Sequence, residues 1–215
     1  MKKLLLTGFE PFLDFSVNPT MKVVEELDNA VVGEYQVIGR ILPVDFAKAG
    51  GQLIDLIEEI EPDAVVSLGL AAGRFKMTPE RIGINLKDGP VDNEGNQPVD
   101  EPVQLDGAAG YLSTLPIRNM VNRMIEEGLP SDISNTAGAY LCNNVMYEAL
   151  HYLAIHKKDV PSGFIHMPAS HELAIEHGNV PSWPHRDLVK GVRICLEVLA
   201  AEEASESSSE NAVTQ

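Results

Sequence analysis

The sequence predicts an α/β fold with a mostly parallel sheet and helices on both faces. Short apolar, β-rich runs alternate with longer amphipathic stretches, and Ala64–Leu70 is a continuous apolar run of the kind a central parallel strand needs. The composition agrees: 44% of the 215 residues are hydrophobic and 22% charged, so the chain as a whole is a globular protein and not a disordered one.

The elements follow in order. Residues 3–7 form a buried first strand. Residues 18–28 carry Val23, Val24 and Leu27 at helical spacing after Asn18-Pro19, a helix start with proline near its first position. Tyr35–Leu42 is a second strand, stopped by Pro43. In 45–60, Phe46, Ala49, Leu53, Leu56, Ile57 and Ile60 share a helical face, and Pro62-Asp63 ends it. After Ala64–Leu70, residues 81–86 alternate Ile82, Ile84 and Leu86 as a half-exposed strand does. Residues 88–110 are turn-rich and polar, and a connection of this length is a functional or mobile segment. Helix resumes at 115–125, a strand-like run occupies 131–137, and 143–158 is a helix with Lys157-Lys158 at its negative end. The last strand is 163–167 and the last helix 184–201. From Glu202 the chain turns to Glu, Ser, Asn and Ala without Lys or Arg. Residues 1–202 are thus expected to form one domain, followed by an acidic disordered tail at 203–215.

Charge excludes several classes of partner. With 16 Lys+Arg against 32 Asp+Glu, the formal charge is −16, which repels nucleic-acid backbones and anionic membranes, and no local basic stripe offsets it. The opening Lys2-Lys3-Leu4-Leu5-Leu6 is broken by Thr7, Gly8 and Glu10 too early for a secretory leader, and no apolar run reaches membrane-span length. Two cysteines, Cys142 and Cys195, cannot build a disulfide framework, and no Cys-x-x-Cys is present. The expectation is a cytoplasmic protein with reduced thiols.

In a parallel sheet, ligands gather beyond the carboxyl ends of the strands. The segments there are 8–12, 69–80, 137–143 and 164–168. Cys142 stands at a helix start, where the dipole and free amides are expected to lower a thiol pKa. His166 ends another strand as a candidate base, and Glu80 is an acidic group able to orient it. Plainer readings exist for each. A cysteine in such a chain is usually a small core residue, which suits Cys195 between Ile194 and Leu196. A strand-ending histidine is usually polar decoration, Glu80 has Arg81 beside it as a partner, and Phe9 and Phe12 would ordinarily be core.

Four runs then carry a family resemblance: Thr7-Gly8-Phe9-Glu10-Pro11-Phe12 with Asn18-Pro19, 69–85 from Gly69-Leu70-Ala71 to Gly83-Ile84-Asn85, 134–143 ending Tyr140-Leu141-Cys142-Asn143, and Phe164-Ile165-His166-Met167-Pro168. Together, and in this order over roughly residues 4–200, they resemble the pyroglutamyl peptidase I (pyrrolidone-carboxylate peptidase) family. The resemblance implies a three-layer α/β/α sandwich with a mostly parallel, mixed central sheet. It also implies a cytosolic cysteine peptidase that removes N-terminal pyroglutamate from peptides, commonly a homotetramer, with no metal or organic cofactor. By motif position Cys142 is the nucleophile, His166 the base and acid, and Glu80 the group orienting the histidine. Phe9 and Phe12 hold the flat lactam ring, Asn18 helps fix the pocket, and the Leu70 carbonyl accepts from the lactam N–H. Backbone amides of 141–143 are candidates for holding the oxyanion.

One departure is visible. Many bacterial relatives carry an arginine in a loop resembling Asp-Ala-Arg-Ile-Pro-Asp-Asn, whereas here Asp88-Gly89-Pro90-Val91-Asp92-Asn93 is a residue shorter and lacks it. If that arginine assists the reaction in relatives, its absence predicts a slower enzyme or one relying on backbone amides alone. Three other functions compete with the peptidase: a non-catalytic lactam-binding protein, a nucleoside-phosphorylase-like enzyme, and a ring-opening lactamase. The phosphorylase would need a phosphate site, and the sequence has neither Gly-x-Gly-x-x-Gly nor a P-loop, only Arg74.

Overall fold

The computed structural model describes residues 1–12 and 15–213, with side chains through Glu202. The chain runs β1 (Lys2–Phe9), α1 (Pro19–Leu27), β2 (Val31–Val32), β3 (Tyr35–Leu42), α2 (Ala49–Ile60), β4 (Ala64–Leu70), β5 (Thr78–Pro79), β6 (Ile82–Ile84) and β7 (Gly110–Leu112). It continues through α3 (Ile117–Glu126), α4 (Leu141–Ile155), β8 (Ser162–Met167), β9 (Ala169–Ser170), α5 (His171–His177), β10 (Ser182–Trp183) and α6 (His185–Val213). Six strands form the main sheet in the order β2-β3-β1-β4-β8-β5. Its centre, β3-β1-β4-β8, is parallel, and antiparallel β2 and β5 close the two edges.

The period-2 geometry of a strand splits the core in two. Leu4 and Leu6 of β1, with Val66 and Leu68 of β4, face α1, α3 and α6. Leu5 and Val65, with Phe164 of β8, face α2 and α4. All seven residues of β4 are buried, as a strand covered on both faces must be. Asn18 caps α1 by accepting from the Thr20 amide at 3.1 Å, and Pro19 follows at the first turn. These helices on both faces of the sheet make the three-layer α/β/α architecture expected.

Several expected elements differ. Residues 131–137 form no strand: Ser131 and Ser134 make isolated bridges to Met77 and Glu80, and the run serves as a wall behind β5. The 81–86 strand shrinks to Ile82–Ile84 and pairs with Gly110–Leu112 outside the main sheet. Helix α4 begins at Leu141, so Cys142 lies inside its first turn and not just before it. The α6 backbone continues to Val213. The expected disorder of 203–215 falls on side chains, and at 214–215 on backbone, that lie outside the described residues. Among the described residues no helix is long and apolar enough to cross a membrane.

Candidate active site

The thiol is placed by the start of α4. Gly138, at φ +80, takes a left-handed turn that a side chain would strain, and the chain then enters the helix through Tyr140, which offers no side-chain cap. The amides of the first turn therefore lack intrahelical acceptors, whereas Asn144 already donates to the Tyr140 carbonyl at 3.0 Å. Fully buried Asn143 pins this end in place. Its Oδ1 accepts from the Ile84 amide at 2.9 Å, and its Nδ2 donates to the Ile84 and Leu86 carbonyls, both at 2.9 Å.

The imidazole comes from β8. His166 is the register partner of Gly69 on β4, and paired residues of parallel strands point to one side of the sheet. On that side a Cβ added to Gly69 would lie 2.9 Å from Cys142 Sγ and 2.6 Å from the Phe164 ring. Thiol and imidazole thus share the ground above one β4–β8 pair, and a glycine is what lets the sulfur come so close. The Phe164 ring lies against His166, inclined at 55° with ring centroids 4.9 Å apart. The hydrogen bond described for the imidazole runs to Glu80, from Nδ1 to Oε1 at 2.7 Å.

Glu80 is fully buried, directly after edge strand β5. Its expected neighbour Arg81 turns away and donates to Asn135 Oδ1 at 2.7 Å. The cation that meets Glu80 is Arg74, whose guanidinium donates to Oε1 at 2.6 Å, to Thr78 Oγ1 at 2.6 Å and to the Thr136 carbonyl at 3.1 Å. Burial alone would push the Glu80 carboxyl up. Hydrogen bonds and charge from His166, with help from Ser134 and Arg74, outweigh burial and hold it below the usual range. Ser134 stands close enough to contribute, yet its hydroxyl donates to the Thr136 carbonyl at 3.0 Å, and Glu80 Oε2 is left without a hydrogen-bond partner. Burial pushes His166 down; Glu80 opposes this and Arg74 adds to it. The pair rests as a carboxylate and a neutral imidazole. Because a carboxylate only accepts, the shared proton is on Nδ1, which leaves Nε2 as the acceptor.

The expected low thiol pKa is reversed. Burial, seconded by Glu80, pushes Cys142 up to about 12, with Arg74 acting the other way. The side chain nevertheless keeps some accessible surface, on the face that lines a cavity. A helix N-terminus stabilises a thiolate by a modest amount, and loss of water around the sulfur outweighs it. At rest Cys142 is therefore a thiol and not a thiolate.

That cavity is lined by Phe9, Phe12, Asn18, Val44, Leu70, Tyr140, Leu141 and Cys142. Phe9, Phe12, Asn18 and Leu70, the residues expected to hold the lactam, are all among them, and none of the described lining residues is a carboxylate. Asn18 works inside the wall, its Nδ2 donating to the Glu10 carbonyl at 3.1 Å. Tyr140 stands between Phe12 and Phe46, at 6.3 and 5.1 Å between ring centroids. Over it lies the 88–93 loop. Gly89 packs on the Tyr140 ring, and Asp88 donates its amide to Ala139 at 2.9 Å. Buried Asp92 accepts from the amides of Phe46, Glu94 and Asn96 at 2.8–2.9 Å and holds this loop against the segment before α2.

Sequence reasoning missed Arg74 and Asp92. Arg74 stood out only as a residue too isolated to suggest a phosphate site, and its partner Glu80 lies six positions on across a loop. Asp92 was legible only as a polar loop residue.

Comparison with known proteins agrees with this geometry. The model of the pyroglutamyl peptidase family matches residues 2–202. A pyrrolidone-carboxylate peptidase of Lysinibacillus sphaericus is 60% identical over 197 residues, covering 92% of this chain and 96% of that protein. One from Oceanobacillus iheyensis is 53% identical over 199 residues, covering 93% and 100%. Among solved structures, pyroglutamyl peptidase I of Bacillus amyloliquefaciens superposes with a TM-score of 0.90 at 36% identity, covering 94% of this chain and 98% of that one. Pyrrolidone carboxyl peptidase from Thermococcus litoralis gives 0.92 at 36% identity, covering 96% of each. On matched length, identity and fold together, this chain belongs to the pyroglutamyl peptidase family.

Proposed function

We propose that this chain hydrolyses the bond after an N-terminal pyroglutamyl residue, with Cys142 as nucleophile, His166 as base and acid, and Glu80 holding the imidazole. The observation that carries the reading is the cavity of Phe9, Phe12, Asn18 and Leu70, with Cys142 in its wall and no carboxylate among its described lining residues. A free α-ammonium group entering such a pocket would lose its water without gaining a counter-charge. An uncharged lactam loses little, and its flat ring fits between aromatic walls.

The steps follow from the resting protonation states. Sγ attacks the pyroglutamyl carbonyl carbon while His166 Nε2 takes the thiol proton, so the high resting pKa of the thiol is met by concerted transfer. The carbonyl oxygen gains the electron pair and is held by the free amides at the start of α4. As the C–N bond breaks, Nε2 returns its proton to the departing amine and a thioester remains. Water then adds to the thioester carbonyl with His166 again taking a proton, the C–S bond breaks, and the sulfur recovers that proton. Throughout, Glu80 holds the Nδ1–H tautomer and offsets the charge of the imidazolium.

A lactam-binding protein without turnover would have no use for the buried Glu80–His166 pair, whose desolvation costs stability. The peptidase reading extends to peptides with blocked N-termini as substrates, a cytoplasmic site of action and assembly as a homotetramer. The test is fluorophore release from a pyroglutamyl-aminocoumarin under reducing conditions, with and without iodoacetamide, beside Cys142→Ala. Release abolished by both treatments is expected; release that survives Cys142→Ala would refute the assignment.

A further inference from the structure

Arg74 is the one cation that touches the buried machinery among the described residues, and it does so on the oxygen that His166 uses. Its guanidinium and Nδ1 meet Glu80 Oε1 at 2.6 and 2.7 Å, while Oε2 is unpartnered. This choice of oxygen has a consequence. A carboxylate that offered one oxygen to each partner would serve both fully. Sharing one oxygen makes the partners compete for the same electron density and places the guanidinium charge beside the imidazole. We propose that Arg74 is a positioning residue for the reaction: by sharing Glu80 Oε1 with His166, it sets how tightly Glu80 holds a protonated imidazole.

The surrounding contacts fit this role. Arg74 is itself held on two further sides, by Thr78 of β5 and by the Thr136 carbonyl. The guanidinium therefore spans β5 and the wall that leads to Cys142, with its charge at a set distance from Glu80. Its side chain is about one-third exposed, so one side stays hydrated while the other reaches a carboxylate with no exposure at all. The charged and titratable groups facing the imidazole are Glu80, Arg74 and Cys142. Tyr140 faces Cys142 but directs its hydroxyl to the Val91 carbonyl at 3.4 Å. The nearby Lys76 pairs with Asp132 at 3.1 Å on the surface and does not reach Glu80.

Without Arg74, Glu80 would bind the imidazolium unopposed. The site would then hold a proton at higher pH, both for the imidazole and for the thiol that Arg74 helps to ionise. With it, the imidazole is free to accept the thiol proton at neutral pH and still has a carboxylate to lean on once charged.

The test measures kcat/KM against pH for the wild type, Arg74→Gln, Arg74→Lys and Lys76→Gln. Arg74→Gln is expected to move the acid limb of the profile, set by His166, upward by roughly one pH unit, so that activity below that limb falls about tenfold and returns at higher pH. Arg74→Lys keeps the charge but loses the planar fork, so the acid limb stays and kcat falls severalfold. Lys76→Gln removes the same net charge away from Glu80 and leaves the acid limb in place. A purely structural Arg74 would lower activity equally at every pH; an unmoved acid limb in Arg74→Gln would overturn the proposal. Should Arg74→Gln not fold, Arg74→Lys decides, because an acid limb that moves with the charge retained also overturns it. The inference rests on Cys142 and His166 being the reacting pair. A wild type lacking Cys142-dependent hydrolysis refutes that assignment, whereas an active wild type whose acid limb ignores Arg74 refutes this inference alone.

Discussion

Gly69→Ala tests the packing of the site with a single methyl group. The glycine carries no positive φ, so alanine meets no backbone strain there, and the effect is steric. The new Cβ would stand 2.6 Å from two Phe164 ring carbons and 2.9 Å from Cys142 Sγ. Ordinary carbon contacts lie at about 3.5–4.0 Å, so ring and sulfur must retreat by roughly 1 Å. Phe164 is fully buried and the start of α4 is pinned by Asn143, so neither yields freely. Overpacking of this kind costs about 1–3 kcal/mol, or roughly 2–12 °C in Tm for a chain of this size. Misplacement of a nucleophile by about 1 Å costs on the order of 10²-fold in rate. The assay pairs thermal unfolding with hydrolysis of a pyroglutamyl-aminocoumarin. Gly51→Ala is the control, a helical glycine with nothing within 4 Å of an added Cβ. The expected result is a folded Gly69→Ala protein with kcat/KM reduced about 10²-fold beside an unaffected Gly51→Ala. Wild-type turnover in Gly69→Ala would refute the placement of Sγ above the β4–β8 pair.

Two further outcomes are expected. Asp92→Asn removes a carboxylate that accepts from several amides, and should cost about 1.5–3 kcal/mol and raise KM by loosening the wall over Tyr140. Burial alone would raise the Asp92 pKa, but these hydrogen bonds hold it below the ordinary 3.8, so its contribution is complete above that pH and is lost as pH falls through the lower folded value. The difference in Tm between wild type and Asp92→Asn should therefore close in strong acid, and a difference that persists there would exclude the carboxylate as the cause. Deleting residues 203–215 should leave kcat and KM within about twofold, since every site residue precedes Glu202; a larger loss in steady-state kinetics would mean that this segment docks on the catalytic region.

The sequence by itself determined the layers and offered the candidate reacting groups. Continuous apolar runs such as Ala64–Leu70 require burial on both faces, and that requirement produces a parallel sheet with helices on each side. The segments expected beyond strand ends offered Cys142, His166 and Glu80 as candidates, whereas Phe9 and Phe12 read as ordinary core there and gained a pocket role only from the family resemblance. What only the tertiary structure decided are the contacts made across loops. Arg81 is the chain neighbour of Glu80, yet Arg74 is its ion partner, since the loop after β4 folds back on β5 and alternation turns Arg81 to the opposite side. The direction of the Cys142 shift was also undecidable from the chain. Helix position argues for a lower pKa and burial for a higher one, and the balance depends on how much water the packed walls exclude from the sulfur. Local pattern records which faces are apolar, but desolvation is a property of the assembled site.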